Sequence, residues 1–322
     1  INPQNNLKVV YFNGVATTKE ILDDSLLDIK VPAISLNRDV QMYQWQEHVK
    51  TKKESQLGGG EREVKTYSYN KGWYDHIIDS SNFKEKEAHQ NPSLMPVKST
   101  LQYANKVTVG DFLVPDFLVK QIAASTPVDL SEKNGSALKA KLNKPVELIS
   151  NELYFSKNPQ ALDIGDIKIT VSAVYPQPVS IIAQQSGGTL QEYMAPAGES
   201  VALISTGVLS STQMIQDALS SNEMMTWLLR GASLILLIMG FCLIFRPLAV
   251  LASVLPFLGD FVGLGTGFLG LTLGTGVWLI VTALAYFATR PILSATVISL
   301  AVFCGYLLIR LRNKKIYQLP SS

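Results

Sequence analysis

The sequence predicts a multi-pass α-helical membrane region joined to a large, β-rich α+β extramembrane domain. Three observations point to that class. Residues 228–245, 261–287 and 292–309 are apolar runs in which Arg230 is the only charge. A hydrocarbon core of about 30 Å needs roughly 20 such residues as a helix. Residues 1–222 are instead polar and broken into short stretches rich in Val, Ile, Thr, Tyr and Phe, the pattern of half-buried strands. Both cysteines, Cys242 and Cys304, fall inside apolar runs, so the domain is thiol-free and must rely on a hydrophobic core rather than disulfides.

These observations divide the chain into a lumenal or periplasmic domain (1–222), a span (223–245), a cytoplasmic-side interfacial elbow (246–260) and a second span (261–287). A short external turn (288–291), a third span (292–309) and a basic cytoplasmic tail (310–322) follow. The chain opens on Ile1 without a methionine, which leads us to expect a further segment upstream.

Within the domain, residues 7–17 read as a strand or hairpin interrupted at Asn13-Gly14. Residues 40–49 and 63–69 alternate on either side of Gly58, Gly59 and Gly60, the signature of an antiparallel hairpin. A symmetric register sets Tyr43 opposite Tyr69, Trp45 opposite Tyr67 and Glu47 opposite Lys65. Residues 73–95 are polar and end at Asn91-Pro92-Ser93, where proline biases Asn91 away from helix, so an anchored irregular loop is expected. Residues 106–113 read as a strand, and Pro115 opens a short helix through Phe117, Leu118 and Ile122. Asn134-Gly135-Ser136 has the form of a glycosylation acceptor but reads more simply as a turn. The runs 147–155, 164–174, 179–184 and 200–205 look like a meander. Ser210 to Gln213 has capping-box spacing, with Met214, Ile215, Ala218 and Leu219 on one helical face leading to the first span.

Seven basic residues and a single acid, Asp260, lie from Trp227 onward, leaving 21 basic and 25 acidic residues upstream. Such a domain repels a phosphate backbone, which excludes nucleic acid as a partner. Arg246 after the first run and Arg310, Arg312, Lys314 and Lys315 after the third place those ends in the cytoplasm and the domain opposite. Gly263, Gly267, Gly270 and Gly274 share a helical face, which serves either packing within the chain or an oligomer seam. A pore lined by Gly, Thr266 and Thr275 is a weaker reading, because no charge lies in that run.

For catalysis, the candidates are Ser93 as nucleophile, His89 or His76 as base, and Asp75 or Asp79 as orienting acid. No nucleophile elbow, zinc motif or phosphate loop accompanies them, so no catalytic residue, metal or cofactor is assigned. The interaction candidates are Tyr43, Trp45, Tyr67, Tyr69, Trp73, His89, Asn91 and Ser93, although strand spacing should turn half of the aromatic group into core.

Several motifs also resemble a known family, transmembrane protein 43, or LUMA. They are Met42-Tyr43-Gln44-Trp45, Tyr67-Ser68-Tyr69-Asn70 with Trp73, Asn82-Phe83, His89 with Asn91-Pro92-Ser93, and Gly165-Asp166. Ser221-Asn222, Met224, Thr226-Trp227, Arg230 and Arg290-Pro291 also fit. The resemblance implies an external domain between a first span, absent here, and three C-terminal spans. It also implies self-association, and for animal members an endoplasmic reticulum or inner nuclear membrane setting linked to emerin and lamins. His48 and His76 lie outside the matching motifs.

The combined expectation is a non-enzymatic membrane scaffold with lipids, further copies of itself and other membrane proteins as partners. A channel or transporter, and a hydrolase acting at the membrane, are the alternatives. The lean loops and thiol-free domain favour a prokaryotic member in a bacterial inner membrane over the endoplasmic reticulum or inner nuclear membrane.

Overall fold

The computed structural model describes residues 1–55, 61–196, 198–252 and 256–287, together with Ala295 and Ser299. The chain forms two compact units, Ile1–Lys50 with Thr66–Ala218, and Thr51–Lys65 with Leu219–Ser322. Its first strands are β1 (Val9–Thr17), β2 (Leu22–Asp24), β3 (Ile29–Val31), β4 (Ser35–Ser55) and β5 (Glu61–Tyr74). After a long loop come β6 (Thr100–Tyr103), β7 (Val107–Val109), β8 (Phe112–Val114), helix α1 (Asp116–Val119), β9 (Thr126–Pro127) and helix α2 (Ser136–Leu142). The second half holds β10 (Val146–Ile149), β11 (Glu152–Phe155), β12 (Ile167–Val174), β13 (Gln177–Ser186) and β14 (Thr189–Gln191). Then follow β15 (Tyr193–Met194), β16 (Ser200–Val201), β17 (Leu203–Thr206), and the long helices α3 (Ser211–Ala252) and α4 (Pro256–Phe287).

One sheet closes on itself. Strand β1 pairs with β7, β7 with β8, β8 with β14, β14 with β13, and β13 returns to β1, while β17 pairs with Val179–Ile182 of β13, alongside the stretch that β14 takes. Closure removes free edges. Ala16, Val107, Val109, Val179, Ile181 and Ala183 belong to its core cluster, with Leu118 and Val119 of α1. The ring is tight where β1 crosses β7. A Cβ on Gly14 would lie 2.6 Å from Val109 Cγ1. The Asn13-Gly14 pair, read from sequence as a break, is therefore a continuous strand that approaches its neighbour closely.

The second sheet runs β10-β11-β12-β4-β5, with β6 and β9 on the flanks. Its even-numbered β4 residues, Leu36, Val40 and Met42, pack with Leu153, Phe155, Ile167, Ile169 and Val171 in a separate core cluster. Arg38 lies on that side too, 2.7 Å from Asp24 Oδ2, and both are buried. The expected meander holds for β10–β11–β12 and in the pairing of β13 with β17, but it is split between two sheets: β12 pairs onward with β4 and β13 with β1, strands more than a hundred residues apart. Local alternation cannot report such partners. The single strand expected over 106–113 is the hairpin β7–β8, folded at Gly110 with φ +59°.

Asn134 is no simple turn residue. Its side chain accepts from Ser131 N and donates to the Leu27 carbonyl, capping a short helical turn before α2, so the acceptor-like asparagine is spent on structure. The capping box at Ser210 and Gln213 forms as the spacing predicts. Of the four residues on that face, Met214 is deeply buried whereas Ile215 and Leu219 are exposed.

The architecture expected from sequence, a multi-pass helical region of three spans beside an α+β domain, requires correction. Among the described residues two helical segments are long and apolar enough to cross a membrane, Ser211–Pro247 and Gly265–Ala285. Strands hold more of the described residues than helices do, and five of them close into a barrel. Hydropathy measures apolar length only; the hydrogen bonding that closes alternating segments into a ring is invisible to it. Cap helix and first span are one helix; of the expected elbow, residues 246–252 belong to the end of α3 and 256–260 to the start of α4, with Pro256 in a first turn where its missing N–H costs nothing. Except for Ala295 and Ser299, the turn at 288–291, the run 292–309 and the tail 310–322 lie outside the described residues.

Candidate functional site: an aromatic face on the open side of the second sheet

Odd-numbered residues of β4 point away from the core that Val40 and Met42 enter. Tyr43, Trp45 and Glu47 share that outer face, and side chains of β5 meet them there. Tyr43 packs on Trp73 with ring centroids 5.3 Å apart. The Lys71 ammonium sits 4.6 Å from the Trp45 ring centroid. Glu47 accepts a 2.7 Å hydrogen bond from the Tyr69 hydroxyl. These pairs differ from the symmetric register by four residues on β5. An even slip keeps every side chain on its face, so the alternation alone could not distinguish the two. None of Trp45, Tyr67, Tyr69 and Trp73 enters either core cluster, contrary to the expectation that half would, and neither does Tyr43.

Two residues unflagged by sequence extend the stripe. Tyr154 of β11 meets Trp73 edge-on at 5.8 Å, and the Lys168 ammonium of β12 lies 5.4 Å from the Trp73 centroid. Glu152 accepts from the Tyr154 hydroxyl at 2.7 Å and lies 3.7 Å from Lys168. Burial, reinforced by that carboxylate, pushes the Tyr154 phenol up to about 12. The parity of 154 and 168 in their strands was the available signal.

At the other end the loop after β5 folds back over the stripe. His89 stacks on Tyr69 at 3.7 Å with the rings nearly parallel, and Trp45 meets the same imidazole edge-on at 4.6 Å. Phe83 completes the group at 6.0 Å from Tyr69. Burial, then the hydrogen bond to Glu47, raises the Tyr69 phenol above its ordinary value. Tyr67 takes part in none of these ring contacts.

Polar side chains fix the loop to the edge of β4. Asn91 acts as a surrogate strand residue. Its Oδ1 accepts from Trp45 N at 2.7 Å, and its Nδ2 donates to the carbonyls of Trp45 at 2.8 Å and Ile78 at 3.1 Å. Gln44, fully buried, donates to the His76 carbonyl and accepts from Ile78 N. Pro92 rests against Gly165, whose φ of +86° suits glycine and whose Cβ position lies 3.1 Å from Pro92 Cγ. Beside it the buried Asp166 carboxylate accepts from Lys144 Nζ, Ser156 Oγ and Asp163 N. Ser93 lines an open cavity of about 470 Å³ with Ile77, Ile78, Ser81 and Lys86.

The catalytic combination weighed from sequence does not assemble. His89 Nδ1 is spent on the Glu85 carbonyl at 3.0 Å, and no His89–Ser93 hydrogen bond occurs among the described residues. His76 and Asp75 form an exposed neighbour pair at 2.7 Å, which holds the Asp75 carboxyl below its usual range. Asp79 caps the turn at Ser81, whose hydrogen bonds lower its carboxyl likewise. Among the described residues no group of three His, Cys, Asp or Glu is placed to hold a metal.

In the second unit the glycines of α4 separate. A Cβ on Gly274 would lie 2.8 Å from Ile238 Cα, and one on Gly270 would lie 3.0 Å from Cys242 N, so α3 and α4 approach backbone to backbone there. Gly267 has open space, and the surroundings of Gly263 lie outside the described residues. Trp278 Nε1 ties the pair by donating to the Arg230 carbonyl at 3.1 Å and Ser233 Oγ at 3.0 Å.

The rat transmembrane protein 43 is 30% identical over 315 residues, covering 94% of this chain and 76% of its own length. The human protein is 29% identical over the same coverage, and a Drosophila melanogaster homolog is 27% identical over 72% of this chain and 61% of its own length. No solved structure matches. The family profile described as Transmembrane protein 43 spans residues 42–291, from the aromatic strand β4 through both candidate membrane helices, and this integral membrane chain belongs to that family.

Proposed function

We propose that this protein is a membrane-anchored scaffold whose β domain docks other membrane proteins or further copies of itself. The observation behind this reading is the aromatic stripe from Tyr154 through Trp73, Tyr43 and Trp45 to Tyr69, set on the sheet face opposite the core. Aromatic side chains with polar handles, framed by charges such as Lys71, Lys168 and Glu47, are the composition of a recognition face. The anchored loop keeps that face rigid, which lowers the ordering cost of docking. The domain lies on the side opposite the cytoplasm, in a periplasm or a lumen, a reading that rests on Arg246 after the apolar part of α3.

The test places a photo-crosslinking residue at Tyr43 or Tyr154 in the full chain in its membrane. Protein adducts, including adducts between differently tagged copies, are expected from these positions and not from the exposed position Asp111 at the β7–β8 turn. Adducts only to lipid, or equal adducts from Asp111, would defeat the proposal.

A further inference from the structure

Past Glu47, the last β4 residue clasped by the loop, β4 and β5 continue as a ribbon in which, among the described residues, neither strand has a further partner. A lone two-stranded ribbon is marginal in water. Its composition is distinctive. Residues 48–55 and 61–68 hold five of the 21 Lys and Arg residues upstream of Trp227 but three of the 25 acids there, so the ribbon is net positive while residues 1–226 together are net negative. The charges are also sorted by face. The side-chain pairs Tyr43–Trp73, Trp45–Lys71 and Glu47–Tyr69, continued along the strands, set Lys50 beside Thr66, Lys52 beside Val64 and Glu54 beside Arg62. One face thus presents His48, Lys50, Lys52 and Arg62, all exposed, with Glu54 as its only acid. The contact of Lys52 with Glu54, at 3.2 Å, is solvent-exposed and leaves Lys50 without an opposing charge.

We infer that this ribbon face binds the anionic headgroups of the bilayer in which the chain is embedded. The ligand chemistry follows from the donors. Lysine and arginine on an open, exposed face suit an array of lipid phosphates rather than one enclosed anion, and an integral membrane protein has such an array permanently at hand. Each basic residue near an anionic bilayer strengthens the association about fivefold, and salt screens it. The assignment is independent of the aromatic face.

The experiment follows backbone hydrogen exchange of residues 48–55 and 61–68 in the full chain, held in nanodiscs of phosphatidylcholine alone or mixed with phosphatidylglycerol. Anionic lipid should slow exchange in these peptides, and high salt should restore it. The combined change Lys50→Ser, Lys52→Ser and Arg62→Ser should weaken the association on the order of a hundredfold and abolish the protection, whereas Lys50→Arg with Lys52→Arg should retain it. Unchanged exchange in β12 and β13 verifies that the serine variant is folded. Equal exchange in the two lipid mixtures, or protection that survives the serine variant, overturns the inference. Protection by soluble polyglutamate but not by phosphatidylglycerol also overturns it and assigns the face to an acidic protein surface.

Discussion

Replacing Asn91 by alanine tests whether one side chain fastens the aromatic face. The change deletes three hydrogen bonds, from Trp45 N and to the carbonyls of Trp45 and Ile78, at 2.7, 2.8 and 3.1 Å. A typical intramolecular hydrogen bond contributes about 1 kcal/mol net. Water can replace some of that at this half-buried site, so the loop should open more easily by about 2–3 kcal/mol. Local opening governs amide exchange, and that energy corresponds to exchange faster by roughly 30- to 150-fold at Trp45 and Ile78. Strands of the barrel, such as β13, should be unaffected, because the lost bonds belong to one edge of the other sheet. Asn91→Asp separates geometry from packing: it keeps an acceptor for Trp45 N but sets a carboxylate against two carbonyls, so it should open the loop at least as much. Trp45 exchange within threefold of the parent in both variants would refute the idea that Asn91 completes the β4 edge.

Two other perturbations probe the helices and the aromatic stripe. Gly274→Leu forces a side chain into Ile238 and should destabilise the α3–α4 pair by roughly 1–3 kcal/mol, while Gly267→Leu, in open space, should leave thermal unfolding in detergent unchanged; equal effects would contradict the close approach. Tyr154 should ionise late, near the value of about 12 against an ordinary 10.0. Because the fold favours the neutral phenol, its contribution is fully present below pH 10 and is lost as pH rises toward 12. Phenolate absorbance should lose a late-titrating component in Tyr154→Phe, and an unchanged alkaline tail would count against the burial argument.

The candidate face was half legible in the sequence. Residues 43, 45, 67, 69 and 73 are all odd, and a period of two assigns them to one side of a hairpin. What parity does not say is whether that side is core, and here Val40 and Met42 claim the core for the even side. Asn91 and Pro92 were noticed as a motif and Gly165-Asp166 as another, yet only folding brings Pro92 against Gly165 and Asn91 onto Trp45. Tyr154 and Lys168 gave no sequence signal beyond their position, because their partner Trp73 lies about eighty residues away or more.

By itself the sequence determined local things: the apolar lengths able to cross a membrane, the capping box at Ser210, the helix opened by Pro115, and the hairpin between β4 and β5. Each depends on residues within a turn or a strand of one another, where composition and spacing act directly on the backbone. Tertiary structure decided the rest. It closed five strands into a barrel around Gly14, paired β4 with β12, set the hairpin register four residues from the symmetric one, and directed Gly270 and Gly274 toward α3. Those outcomes depend on which distant surfaces exclude water and pair their backbone groups most completely, a choice made among elements rather than within them.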